Sequence, residues 1–239
     1  MKALKKSLLA FAILLTGFSV NAQTADDIMA KHQVAIGGDA WNKINSMKTT
    51  SKMVVGGQEV EMIDVVVRGK GVRSEMMMNG NSGGYEIVTP TGGWNLDLMA
   101  PDSKPGITKP VAMPAEQVKG LQDQLDPTDD YFNYKEKGFK AELLGKETTN
   151  GTPCYKLKIT GKGGVSKTVY FDAATFYKIK DVERVETAQG AMDIATTFSD
   201  FRKFPEGIVL PMKAKNDYQD ITITGVEINK TVDDSVFKP

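Results

Sequence analysis

One cysteine and one histidine in 239 residues remove most thiol and metal chemistry from consideration at the outset. A lone Cys154 forms no internal disulfide, so the fold must hold by packing. No histidine or basic cluster flanks that thiol to make it a thiolate, and it reads as a small buried residue. With only His32 besides, a metal site would need oxygen ligands alone, and no D-x-D-x-D-G loop is present. Asp129-Asp130 and Asp233-Asp234 read instead as carboxylates at helix starts. Charge of one sign is missing too: 30 Lys and Arg balance 30 Asp and Glu, which leaves no basic footprint for nucleic acid. Nor is there an apolar run of the roughly 20 residues that span a bilayer as a helix.

The longest apolar run, "LLAFAILLTGF", follows Lys2, Lys5 and Lys6 and precedes the small residues of "SVNA". Those three regions in that order make residues 1–22 a secretory signal peptide, cleaved after Ala22 to leave Gln23 first. No cysteine stands directly after the cleavage site, so the expected product is periplasmic, exported across the inner membrane and not lipid-anchored. The expected mature unit is a single domain over 23–239, because no Pro-, Gly- or Ser-rich linker divides it.

Thr24 and Asp27 form a T-x-x-D capping box, and Gly37-Gly38 ends the helix they start. Ile28, His32, Ala35 and Ile36 lie along one stripe of it. From Met47 the period becomes two. "SMKTTSKMVV", "EVEMIDVVVR", "VRSEMMM", "GYEIV" and "WNLDLM" read as five strands joined by glycine-rich turns. "APDSKPGITKPVAMP" has four prolines and no periodicity, which fits neither a central strand nor a helix. It leads into "PAEQVKGLQDQL", a short helix with Val118, Leu121 and Leu125 on one face, placed as a lid. Seven more strand candidates follow, and "DDSVFKP" closes the chain with Phe237 tucked against the sheet. About a dozen strands in series predict a mainly β protein with a few helices. The expected architecture is one large, curved antiparallel sheet, an incomplete β-barrel, with helices covering the concave face.

Two motifs suggest enzymes and fail on context. Gly80-Asn81-Ser82-Gly83-Gly84 matches G-x-S-x-G, but a nucleophile elbow needs a strand-to-helix turn and a histidine downstream. Here a strand follows and His32 lies upstream, so Ser82 reads as a hairpin-loop residue. "GKGGVSKT" lacks the second glycine of a phosphate loop and also runs into a strand. No catalytic residue and no cofactor is expected.

Methionine is abundant instead, at 12 residues, with Met47, Met53, Met62, Met76, Met77, Met78 and Met99 all in the first half. Methionine is flexible and polarizable and suits surfaces that accept varied apolar partners. One reading is ordinary core beneath the helices; the other is an apolar cavity between sheet and lid. The candidate cavity residues are Val72, Met76 and Met78 on one strand, Trp94, Leu96 and Leu98 on another, and Val118 and Leu121 of the lid.

"GGDAWNKI", "TGGW", "LLGKETTNGTPCYKLKI", "VYFDAATFYKIK", "FSDFRKFPEGIVLP" and "VEINKTVDDSVFKP" together resemble the lipoprotein-carrier (LolA-like) superfamily, especially its outer-membrane lipoprotein-sorting branch. The resemblance implies an incomplete, strongly curved barrel with helices closing a hydrophobic concave side. It implies a soluble periplasmic carrier for the acyl chains of lipoproteins or other lipids, with a membrane-protein donor and acceptor as transient partners. The alternative within the same superfamily is a lipid-binding sensor that regulates an envelope protein partner.

Overall fold

Two-residue alternation between tight turns produces 13 strands in a single antiparallel sheet. The structure, a computed structural model, describes residues 23–55, 57–98, 109–187 and 190–239. The signal-peptide expectation, Met99 and most of the proline-rich stretch therefore lie outside the described residues. Helix α1 (Ala25–Ala35) leads through a 3₁₀ turn, Gly38–Lys43, into strands β1 (Ser46–Val55), β2 (Gln58–Val67), β3 (Gly71–Met78), β4 (Asn81–Val88), β5 (Gly93–Asp97) and β6 (Val111–Ala112). The chain then crosses by helix α2 (Ala115–Gly120) and a 3₁₀ turn, Gln122–Leu125. It returns as β7 (Lys140–Thr149), β8 (Thr152–Thr160), β9 (Ser166–Asp172), β10 (Lys178–Thr187), β11 (Gly190–Lys203), β12 (Val209–Lys215) and β13 (Asp220–Ile228).

The strand order is β6-β5-β4-β3-β2-β1-β13-β12-β11-β10-β9-β8-β7. The chain thus starts in the middle of the sheet, runs to one edge, crosses, and returns from the other edge until β13 pairs with β1. The edge strands β6 and β7 do not pair, so the barrel stays open. Lys140, Glu142, Lys146 and Glu147 and a bulge between Leu143 and Gly145 keep the longer edge from templating another strand.

Local chemistry explains the joints. The capping box forms as expected, with the Thr24 hydroxyl accepting from Asp27 N–H at 3.1 Å and Asp27 accepting from Thr24 N–H at 2.9 Å. Asn79-Gly80 and Asn150-Gly151 both have positive φ, as two-residue hairpin turns require. The first of these turns corrects one expectation. Ser82 is not in the loop; it lies in β4 opposite Met77, beside a bulge.

Strands β12 and β13 share only the pairs Lys213–Thr222, Ala214–Ile221 and Lys215–Asp220. Val209 N–H, at the start of β12, bonds instead to the Ile36 carbonyl at the end of α1, at 2.8 Å. Gly37 has φ +122°, and a Cβ there would stand 2.6 Å from the Gly207 carbonyl oxygen, so no other residue fits this approach. Arg68, at the end of β2, donates to the carbonyls of Trp41 and Ile44 and pairs with Asp126, which locks the 3₁₀ turn to the crossover.

Candidate functional site

Residues directly opposite each other in a sheet share a face, so the strand register sorts every side chain. One face carries Met47, Val66 and Val72 in a row, with Val72 opposite Val88. Helices α1 and α2 and the 3₁₀ turns that follow them lie on this side. Ile36, Trp41 and Ile44 pack with Met47 and Ile228, and Val118 and Leu125 pack with Val72 and Val88. Ile28 and Met29 of α1 pack with Leu157, Val169 and Phe171. This is the concave, inner face.

The inner face has a second half that the helices do not seal. Met76, Met62, Ser51 and Ile223 stand opposite one another across four strands, and Met53 stands opposite Val60. Ile221, Ala214 and Phe198 continue the row on the far side. Met53, Met62, Met76, Ile221, Ile223 and Phe198 are all half-buried, and none of them joins the packed clusters found among the described residues. Met78 follows Met76 on the same face by alternation.

The expected cavity residues therefore divide. Val72, Val118 and Leu121 do come together, but as packed core beneath α2. Met76 and Met78 lie on the same face, toward the open half. Trp94 and Leu96 do not: they stand opposite Ile87 and Tyr85 on the outer face, where Trp94 packs with Val65, Ile87 and Phe237. This corrects the expected grouping. Leu98 lies past the end of β5 and is 36% exposed. Alternation holds within β5, but a one-residue difference in phase between strands decides which face the set occupies. Gly93, not Trp94, is the β5 residue under the lid. A Cβ at Gly93 would meet Met113 Sδ at 2.8 Å and Val118 Cγ2 at 3.0 Å, so the close seat of α2 needs the glycine.

A cleft of about 590 Å³ is lined by Arg68, Asp126, Asp130 and Lys137 together with Leu125 and Phe139. A second groove of about 520 Å³ lies on the outer face along the C-terminal segment, where Arg73 stacks on Tyr85 at 4.0 Å and pairs with Glu75 at 3.0 Å. Phe237 seats its ring on Gly71, as expected for the closing turn.

The polar groups of the interior are held in place. His32 is buried and its Nδ1–H donates to the Phe176 carbonyl at 2.8 Å. That carbonyl can only accept, so Nδ1 carries a hydrogen and Nε2 faces Asp129 at 3.7 Å. Burial pushes the Asp129 carboxyl up, but His32, Lys178 and the Tyr131 N–H outweigh it and hold Asp129 below the usual carboxylate range. Burial raises the Cys154 thiol, which donates to the Thr152 carbonyl. Among the described residues no group of three His, Cys, Asp or Glu could hold a metal ion, and no described helix is long and apolar enough to cross a membrane.

Strand β10 holds what the sequence reading missed. Lys178 stands opposite Phe171 and Asp181 opposite Val169, so both charged side chains point to the inner face. The available signal was the alternation itself, which puts charge at inward positions of "FYKIKDVERVE".

No family model matches this chain, and no curated protein does. Solved structures do. A DUF1329 family protein from Desulfovibrio piger aligns over 88% of this chain and 97% of its own, at 13% identity and a TM-score of 0.58. A LolA superfamily protein from Nitrosomonas europaea aligns over 90% and 98%, at 12% identity and a TM-score of 0.55. A Vibrio parahaemolyticus structure assigned as an outer membrane lipoprotein-sorting protein domain aligns over 89% and 95%, at 12% identity and a TM-score of 0.54. Their shared architecture is this one, so the chain has the LolA-type fold: an open antiparallel barrel with helices across its inner face.

Proposed function

We propose that this protein is a soluble periplasmic carrier that shelters the acyl chains of lipoproteins or other lipids on the unsealed half of its inner face. The observation that carries this reading is the row Met76–Met62–Ser51–Ile223 with Met53 beside it, whose apolar side chains are half-buried around a buried Ser51 and lie outside every described cluster. An apolar surface turned inward and left unpacked is suited to taking a chain from outside. Exposure of that chain to water costs about 0.8 kcal/mol per CH₂, so it needs a container and not a catalyst. Methionines let the wall conform to chains of different shape. Delivery requires a membrane-protein donor and acceptor that meet the carrier in turn.

The test uses the neutral fluorophore N-phenyl-1-naphthylamine with purified, delipidated protein. Met62→Glu places a charge in the wall and is expected to weaken binding by more than about tenfold, since an unpaired buried charge costs several kcal/mol. Glu61→Gln, one residue away on the outer face opposite Met77, should leave binding within about twofold. Thermal melts accompany both variants. Failure of the wild type to bind the fluorophore, together with lipid-free organic extracts of protein from its native periplasm, would sink the carrier reading.

A further inference from the structure

The inner face is not greasy throughout. Lys178 and Asp181 are 15% and 12% exposed there, and their ion pair is 3.6 Å long, beyond the usual N–H···O range. Among the described residues, the Lys178–Asp181 contact is the one polar contact between side chains that either group makes at that distance. The Lys178 ammonium also lies over two rings, Phe198 at 4.2 Å and Tyr131 at 5.3 Å, and its charge reaches Asp129. An ammonium has three donors and a carboxylate about four acceptor sites, so this pair keeps unused capacity in a place where capacity is costly to leave unused.

The pair borders the apolar row directly, because Phe198 stands opposite Ala214 and Ala214 opposite Ile221. Its surroundings are acidic. Tyr131 is pushed up by burial and then by the charges of Asp130, Asp181, Asp129 and Glu183. Against them stand Lys178 and Lys167, the latter already paired with Glu183 at 2.8 Å, and His32 facing Asp129. The balance remains acidic even with His32 protonated.

We propose, on the basis of the carrier reading, that Lys178 and Asp181 hold the head of the cargo and that this head is an uncharged hydroxyl, as in an acylglycerol. One hydroxyl oxygen accepts from the Lys178 ammonium and donates to the Asp181 carboxylate, so it completes both without adding charge. A phosphate or a carboxylate would satisfy Lys178 but would bring a second negative charge beside the Asp181 carboxylate, which lies 3.6 Å from that ammonium. The acyl chain then runs from Phe198 along Ile221 and Ile223 toward Met62 and Met76.

The experiment displaces N-phenyl-1-naphthylamine from wild-type protein at pH 8 with three amphiphiles of one acyl chain: a monoacylglycerol, the free fatty acid and a lysophosphatidic acid. The monoacylglycerol is expected to act at about tenfold lower concentration than either anion, as one charge-assisted hydrogen bond against one repulsion implies. Asp181→Asn, which keeps the shape and removes a negative charge, should narrow that preference to about threefold. Lys178→Met should weaken the monoacylglycerol by about tenfold. Equal displacement by all three amphiphiles, or tighter binding of the anions, overturns the head-group assignment while leaving the carrier reading intact. No binding of fluorophore or amphiphile overturns both. The wild-type ranking decides without relying on a variant that folds.

Discussion

The two halves of the inner face share strands β2 and β3 and differ in what lies over them and in the side chains they present. Toward one end of β2 and β3, Val66 and Val72 sit under Trp41, Val118 and Leu125 and are packed as core. Toward the other, Met62 and Met76 stay half-buried. The sealed half packs Val66, Val72, Val88 and Trp41 with Met47 among them, and the unsealed half sets Met53, Met62 and Met76 beside Ile221, Ile223 and Phe198. Stiff residues suit a wall whose neighbours never change; flexible ones suit a wall whose neighbour comes and goes. Stability and binding should therefore separate along the strands, with stability residing in the sealed half.

The largest expected effect tests that separation from the sealed side. Trp41 is 1% exposed, fills the centre of its cluster, and donates from its indole N–H to the Ile36 carbonyl at 3.0 Å. Trp41→Ala should cost about 3–5 kcal/mol of stability in a urea melt, while fluorophore affinity of the fraction still folded stays within about twofold. A large loss of affinity in the folded fraction would show that the two halves act as one core.

Much of this division could be read from the amino acids, and some could not. The helix start at Thr24 and Asp27, the alternation of nearly every strand and the Asn-Gly turns are local signals, and they appear where local chemistry puts them. The face occupied by each strand is not local. Nothing within "WNLDLM" says that Gly93 rather than Trp94 meets Val88; that depends on the length of the turn at Thr89–Gly92, where Thr89 N–H bonds to the Gly92 carbonyl. The same dependence hid the unsealed row, since Met62 and Ile223 come together only through β1 and its pairing with β13, at the far end of the chain. Lys178 and Asp181 were overlooked for a different reason: charges in a strand are ordinarily solvated, and only the register with Phe171 and Val169 turns them inward.

A smaller effect is expected at the seam where α1 meets the crossover. Asp129 accepts from Tyr131 N–H at 2.8 Å and faces His32 at 3.7 Å, tying the turn that carries Tyr131 to α1. Its folded-state pKa is depressed, so its contribution is full above the unfolded value of about 3.9 and is lost as pH falls through the folded value. Asp129→Asn keeps the acceptor for Tyr131 and removes the charge. It should cost about 1–3 kcal/mol at pH 7, and the gap between the two proteins should close as the pH drops below about 4. A gap that stays constant from pH 7 to pH 3 would mean that the charge of Asp129 does not hold the seam.

The smallest expected effect asks most directly whether methionine is chosen for its flexibility. Met29 and Met62 can take the same nearly isosteric change to leucine. Met29 is 1% exposed and packed between α1 and the β8–β9 strands, so a branched side chain must find a rotamer among fixed neighbours. Met29→Leu should cost up to about 1.5 kcal/mol and leave binding unchanged. Met62 is half-buried in the unsealed row, where nothing packed constrains the new side chain, and Met62→Leu should change stability by less than about 0.5 kcal/mol. Its effect should appear in binding instead. Leucine is as apolar as methionine but has fewer ways to fit a chain, so affinity for a straight saturated chain should hold while affinity for a kinked unsaturated one falls by about threefold. Equal affinities for both chains in wild type and Met62→Leu would assign the methionines to plain hydrophobicity and leave the difference between the two halves resting on the helical cover alone.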